Sequence, residues 1–127
     1  MPRAPIYPSD GELAILRVLW GRGPSTVRDV HTELSKERDM GYTTVLKLMQ
    51  IMAEKGLVAR DESARSHVYQ AAQGEHPTQV VLLRDMLRRA FGGDARALMV
   101  RALEAAPADA EDLDEIRRLL DETGRKP

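Results

Sequence analysis

Thr43, Lys47, Gln50 and Glu54 recur at the spacing that places side chains on one face of a helix, while Val45, Leu48, Met49 and Met52 fall on the opposite face. One face is core and the other is offered outward. The outward residue types suit one kind of chemistry, the recognition of double-stranded DNA. Thr43 and Thr44 sit at the start of the helix, where free backbone amides and the positive dipole end favour a phosphate. Lys47 can meet a phosphate or a guanine edge, Gln50 can pair bidentately with adenine, and Leu46 at the flank can touch a thymine methyl. Glu54 repels phosphate, so the reading face ends before it. Beyond this helix, Arg65 at the hairpin tip, with Arg60 and His67 on its strands, can lie along the backbone or enter a minor groove. Any one of these residues alone is an ordinary solvated side chain. Their shared face, just before a cation-tipped hairpin, is the informative feature.

The elements that must position them follow from periodicity and punctuation. Ser9-Asp10-Gly11-Glu12 reads as a capped helix start, followed by Leu13, Ile15, Leu16, Leu19 and Trp20 at helical spacing and stopped by Gly21-Arg22-Gly23-Pro24. A second, short helix begins after Ser25 or Thr26 and carries Val27, Val30 and Leu34. The third is predicted to open at Thr43 or Thr44 and to end at Gly56, a glycine placed for a left-handed cap. Segments 57–62 and 67–71 then form a hairpin around Ser63-Ala64-Arg65-Ser66. Helix, short helix, longer helix and hairpin is the order of a winged helix-turn-helix, although residues 36–42 are longer than a minimal turn.

Ala71-Ala72-Gln73-Gly74-Glu75-His76-Pro77 is small and polar and ends in proline, which predicts a junction. Two domains are therefore expected, 1–74 for DNA binding and 75–127 beyond it. The second part shows three helical patterns: Val80, Leu83, Leu87 and Phe91 before Gly92-Gly93; Leu98, Met99, Ala102 and Leu103 after a cap at Asp94; and Leu113, Ile116 and Leu120 after an acidic start. About fifty residues in three helices cannot hide that much apolar surface by themselves. A second copy covers the remainder in the expected homodimer, with Val80, Leu83, Leu87, Phe91, Leu98, Met99, Leu103, Leu113, Ile116 and Leu120 at the interface. The fold class is mainly α, a winged helix with a two-stranded wing plus a C-terminal three-helix dimerisation domain.

Composition bounds the alternatives. The net charge of −1 gives no basic signature: residues 1–74 carry ten Lys/Arg against nine Asp/Glu, and residues 75–127 nine against eleven, so placement must carry the case. There is no cysteine, which excludes disulfides and thiolate zinc sites. His31, His67 and His76 lack metal-ligand spacing, and no cofactor or metal is expected. Trp20 and the methionines read as packing rather than as a stacking array or ligand box. No nucleophile-base motif or phosphate-binding glycine loop points to an enzyme. No apolar run approaches the ~20 residues of a membrane span, and Met1-Pro2-Arg3-Ala4-Pro5 lacks the apolar stretch of a signal peptide, so a cytoplasmic protein without membrane insertion is expected.

The run Gly41-Tyr42-Thr43-Thr44-Val45-Leu46-Lys47-Leu48-Met49-Gln50-Ile51-Met52-Ala53-Glu54-Lys55-Gly56-Leu57-Val58 resembles the recognition helix and wing entry of the penicillinase-repressor family, regulators of beta-lactamase and methicillin-resistance genes. Glu12-Leu13-Ala14-Ile15-Leu16-Arg17-Val18-Leu19-Trp20, Thr26-Val27-Arg28-Asp29-Val30, Phe91-Gly92-Gly93 and Glu115-Ile116-Arg117-Arg118-Leu119-Leu120 extend the similarity over nearly the whole chain. The resemblance implies a homodimeric repressor on an operator of inverted half-sites, with DNA contacts at Thr43, Thr44 and Lys47. It also raises a membrane sensor-protease as a partner. Cleavage in such relatives falls in the second C-terminal helix, often at an Asn-Phe pair, and the matching stretch here, around Val100, Arg101 and Ala102, has none. That leaves the inducing signal open. Copper-responsive relatives use a cysteine-rich tail, which is missing here, so a copper sensor of that kind is not expected. Two other readings remain at this point: a winged-helix module that docks a protein on its third helix, and a ligand-gated repressor.

Overall fold

A computed structural model of the chain describes residues 7–124. The Met1-Pro2-Arg3-Ala4-Pro5 opening and residues 125–127 at the end of the second expected domain lie outside the described residues. The element order is α1 (Asp10–Arg22), α2 (Val27–Leu34), α3 (Tyr42–Lys55), β1 (Val58–Asp61), β2 (Val68–Ala71), α4 (Glu75–Phe91), α5 (Ala95–Ala105) and α6 (Ala110–Gly124). The chain divides into two compact units, residues 1–83 and 84–127.

The first unit holds a winged helix. Ser9 caps α1 as its residue types predict: its hydroxyl accepts from the Glu12 amide at 3.3 Å, and the Glu12 carboxylate accepts from the Ser9 amide at 2.8 Å. Thr26 and Asp29 repeat the same reciprocal box at the start of α2, with both bonds at 3.1 Å. Ile15, Leu16 and Leu19 of α1, Val27, Val30 and Leu34 of α2, and Val45, Met49 and Met52 of α3 then turn inward to form one core with Val58 and Tyr69. Burial of these side chains is the main force that holds the three helices together.

The wing follows from the end of α3. Gly56 takes φ +84°, a conformation that a side chain resists, and its amide and that of Leu57 return to the carbonyls of the last turn. The chain reverses there and enters β1, which pairs antiparallel with β2 in the register Val58↔Ala71 to Asp61↔Val68. Both strands are shorter than expected, so Glu62 and His67 belong to the connecting loop. A third extended segment joins them: Ser25 and Tyr69 exchange backbone bonds of 2.9 and 2.8 Å, which ties the α1–α2 connection to the wing. The Trp20 indole N–H donates to the Gln73 carbonyl at 3.0 Å. Trp20 is therefore half-buried packing with a polar tether, as its position at the apolar end of α1 suggests.

Helix α4 opens at Glu75, so the proline expected to mark a junction, Pro77, lies in its first turn, where a missing amide costs no intrahelical bond. Gly92 and Gly93, both at positive φ, end that helix. In the second unit Asp94 caps α5 by accepting from the Ala97 amide at 3.1 Å, and Asp109 accepts from Asp112 at 2.8 Å at the start of α6. No helix among the described residues is long and apolar enough to cross a membrane.

Candidate nucleic-acid interface

Helix α3 begins one residue earlier than its sequence suggests. Gly41 is the N-cap, and it has no side chain to accept from the first-turn amides. Tyr42, Thr43 and Thr44 therefore form the first turn, and no acidic residue stands among them. Helices α1 and α2 close their N-termini with reciprocal boxes and carry acids in the first turn. The α3 terminus keeps both its donors and its positive dipole end available to an anion.

Along α3, Thr43, Lys47 and Gln50 are exposed, and Val45, Met49 and Met52 are buried. The expected division of the helix into a core face and an outward face is present. Thr44 is exposed beside the stripe. Leu46 is half-buried and packs against the core, so only part of its side chain faces outward. Glu54 is exposed further along the same face, one turn beyond Gln50.

The wing brings two of its predicted contact residues together. Arg60 on β1 places a guanidinium nitrogen 2.8 Å from Oε1 of Glu62, and His67 Nδ1 lies 4.0 Å from the same oxygen. The nearby Tyr69 hydroxyl and then the charge of Glu62 hold the Arg60 guanidinium above its ordinary pKa, against the opposing effect of burial. Arg65 is exposed in the connecting loop and forms no ion pair with another described residue.

Three features of the head are not foreseen from residue types and spacing. Tyr42 is exposed at the front of α3, and its ring meets His31 of α2 edge-on, with centroids 5.7 Å apart and planes at 82°. Glu62 stands between Arg60 and His67. Glu12, expected only as a capping residue, is 1 % exposed, and both its oxygens lie 3.0 Å from Nζ of Lys55 in the last turn of α3. Burial pushes the Glu12 carboxyl up, but the Ser9 amide, the Lys55 ammonium and the Ser9 hydroxyl outweigh it, and the group ends below the ordinary carboxylate value. The pair links the start of α1 to the end of α3. Local spacing carries no signal for it, because the partners are 43 residues apart.

The C-terminal helices look different. Among the described residues of α4, α5 and α6 none is fully buried. Val80, Leu87, Phe91, Leu98 and Leu113 are half-buried, whereas Leu83, Met99, Leu103, Ile116 and Leu120 are exposed. Val81, Met86, Val100 and Leu119 extend the exposed apolar set beyond the residues expected. Val100, Arg101 and Ala102 are exposed inside α5 rather than in a loop. No cluster of His, Asp or Glu among the described residues is arranged to hold a metal ion.

The profile of the penicillinase repressor family matches residues 8–122. The chain belongs to the penicillinase repressor family. It is 38 % identical over 115 residues to the transcriptional regulator BlaI of Mycobacterium tuberculosis, covering 89 % of this chain and 82 % of that one. Against the penicillinase repressor of Bacillus licheniformis the identity is 25 % over 114 residues, with 90 % and 89 % covered. Among solved structures it is similar to the monomeric form of Bacillus licheniformis BlaI in complex with the blaP half-operator, at 27 % identity and a TM-score of 0.49, over 59 % of this chain and 90 % of that chain. Membership in the penicillinase repressor family makes this protein a transcriptional repressor, not an enzyme.

Proposed function

We propose that this repressor binds operator DNA as a homodimer, with α3 in the major groove, the wing along the backbone, and a two-fold symmetric operator of inverted half-sites. The observation that carries the reading is the outward face of α3. Thr43, Lys47 and Gln50 are exposed on a helix whose other face is locked into the core, behind an N-terminus free of side-chain caps. A major groove about 12 Å wide admits such a helix. The head corresponds to residues 1–74 and the dimerisation part to residues 75–127. The exposed leucines, isoleucine and methionines of α4–α6 support a second copy as their cover, because so many large apolar side chains at helical spacing make a poor water-facing surface. Transcriptional repression of this kind takes place where the chromosome is, in the cytoplasm. If a sensor-protease relieves repression, the exposed Val100-Arg101-Ala102 stretch in α5 is the segment it would have to open first.

The test is a titration of Thr44→Ala, Lys47→Ala, Gln50→Ala and Arg65→Ala against the operator and a scrambled duplex at several salt concentrations. Lys47→Ala and Arg65→Ala should weaken both duplexes and reduce the log-log salt slope by about 0.9 for each phosphate no longer neutralised. Thr44→Ala and Gln50→Ala should leave the slope alone and cost about 1–3 kcal/mol on the operator, with much less on the scrambled duplex. Full binding by all four variants would sink the reading.

A further inference from the structure

We propose that Tyr42 is a further DNA-contact residue, giving its phenol hydroxyl to a backbone phosphate at the entrance of the groove, and that His31 is the positioning residue that holds its ring there. The proposal rests on the reading of α3 as the DNA-facing helix. Tyr42 is the first helical residue of α3 and is 44 % exposed, whereas Tyr69, the other tyrosine of the helix-and-wing core, is 1 % exposed. Side chains on a helix tilt toward its N-terminus, which puts Tyr42 on the side of the end that Gly41 leaves uncapped. In the proposed complex the hydroxyl donates to a phosphate seated near the first-turn amides. The ring does not hang free. His31 of α2 meets it edge-to-face at 5.7 Å, and the His31 Nε2 is itself 3.3 Å from the Ser35 hydroxyl. The preceding helix thus presets the orientation of the contact before DNA arrives.

A phenol is a neutral donor, and a phosphate oxygen an acceptor. Such a bond adds affinity on every duplex, selects no base, and leaves the counterion count unchanged. Those properties separate it from Lys47, which alters the salt slope, and from Gln50, which alters base selection.

The experiment uses the full-length protein with two probes, a duplex that the wild type selects from a randomised library and a mixed-sequence duplex. Tyr42→Phe, His31→Ala, the double variant and Lys47→Ala are titrated at several salt concentrations, with thermal unfolding measured in parallel. Tyr42→Phe keeps the ring and its contact with His31, so its Tm and salt slope should match wild type. Its binding should fall about five-fold on both duplexes alike. His31→Ala should weaken binding in the wild-type background and add little to Tyr42→Phe, with His31→Gln as the second variant if His31→Ala lowers Tm. Wild-type affinity for Tyr42→Phe, beside a clear loss for Lys47→Ala, would overturn the Tyr42 contact. A His31→Ala loss that adds in full to that of Tyr42→Phe would overturn the positioning role. If Lys47→Ala also binds as wild type, the DNA-facing reading of α3 falls, and this inference with it.

Discussion

Among the described residues, the winged-helix head closes a core of eleven buried apolar side chains around its three helices and wing, whereas α4, α5 and α6 contain no fully buried residue. Both parts are built from amphipathic helices with ordinary caps, so local helix chemistry does not explain the contrast. The difference lies in what each apolar stripe meets. In the head, the stripes of α1, α2 and α3 face one another, and the wing adds Val58 and Tyr69 as a floor. Along α4 and α6, Leu83, Met86 and Leu120 each keep about half their surface, at 51 %, 54 % and 53 % exposed. A head that is finished by itself and a set of helices that is not is the arrangement expected when one chain supplies half of an assembly.

The largest effect expected from that comparison is on stability. Ile15 has no exposed surface, and Ile15→Ala should cost about 2–5 kcal/mol through reduced burial and the cavity left behind, read as a fall in the unfolding midpoint at any protein concentration. Leu103→Glu with Leu120→Glu should leave the head's unfolding in place and instead dissociate the protein, read by sedimentation. Operator affinity should then fall by about a hundred-fold or more, as the two heads lose their link. The comparison breaks if the double variant remains a dimer, or if the isolated head, residues 1–74, sediments as one.

The head also shows which features a sequence displays and which it conceals. Ser9 with Glu12 is legible because both partners of the cap lie within four residues, and the α3 core face because its period is local. The start of α3 falls one residue before the expected position because Gly41 caps by backbone conformation alone, without the hydroxyl that Thr43 and Thr44 advertise. The Ser25–Tyr69 bridge and the Glu12–Lys55 pair join segments far apart in the chain. No periodicity reports such pairs. Arg60, Arg65 and His67 are legible as candidate contacts, but Glu62 becomes a partner of Arg60 and His67 only once the hairpin folds those two around it.

The Glu12–Lys55 pair supplies a smaller effect with a defined pH dependence. The folded pKa of Glu12 lies below the ordinary carboxylate value, so the native state stabilises the ionised form. The contribution is complete at neutral pH, above the unfolded pKa of about 4.3. It is lost as pH falls through the lowered folded value. Asp29 and Asp61 are lowered too, by the backbone and side chains of Thr26 and Ser63, and they act in the same direction. The informative quantity is therefore the difference between wild type and Glu12→Gln, which should shrink as the pH drops below about 4. Lys55→Met strands a buried carboxylate and should cost about 1–3 kcal/mol at neutral pH, moderated because Lys55 itself is 39 % exposed. An equal acid dependence in wild type and Glu12→Gln would remove the pair from the stability of the head.

The smallest effect concerns the wing, and its sign is a gain. Arg60 and His67 both lie against Glu62, while Arg65 forms no ion pair with another described residue. A phosphate approaching Arg60 must therefore replace a carboxylate already 2.8 Å away, whereas one approaching Arg65 replaces only water and counterions. An exposed pair of this kind is worth at most about 1 kcal/mol, so the competition is winnable but measurable. Glu62→Gln should strengthen DNA binding by about three-fold and steepen the salt slope, since one more cation then exchanges its counterion for a phosphate. Removing any negative charge near DNA gives some gain, so the decisive measurement is the same substitution in an Arg60→Ala background. If Glu62 acts by occupying Arg60, most of the gain vanishes there. A gain of equal size in both backgrounds would reduce Glu62 to general repulsion, and weaker binding by Glu62→Gln would mean that the carboxylate orders the wing for DNA rather than competing with it.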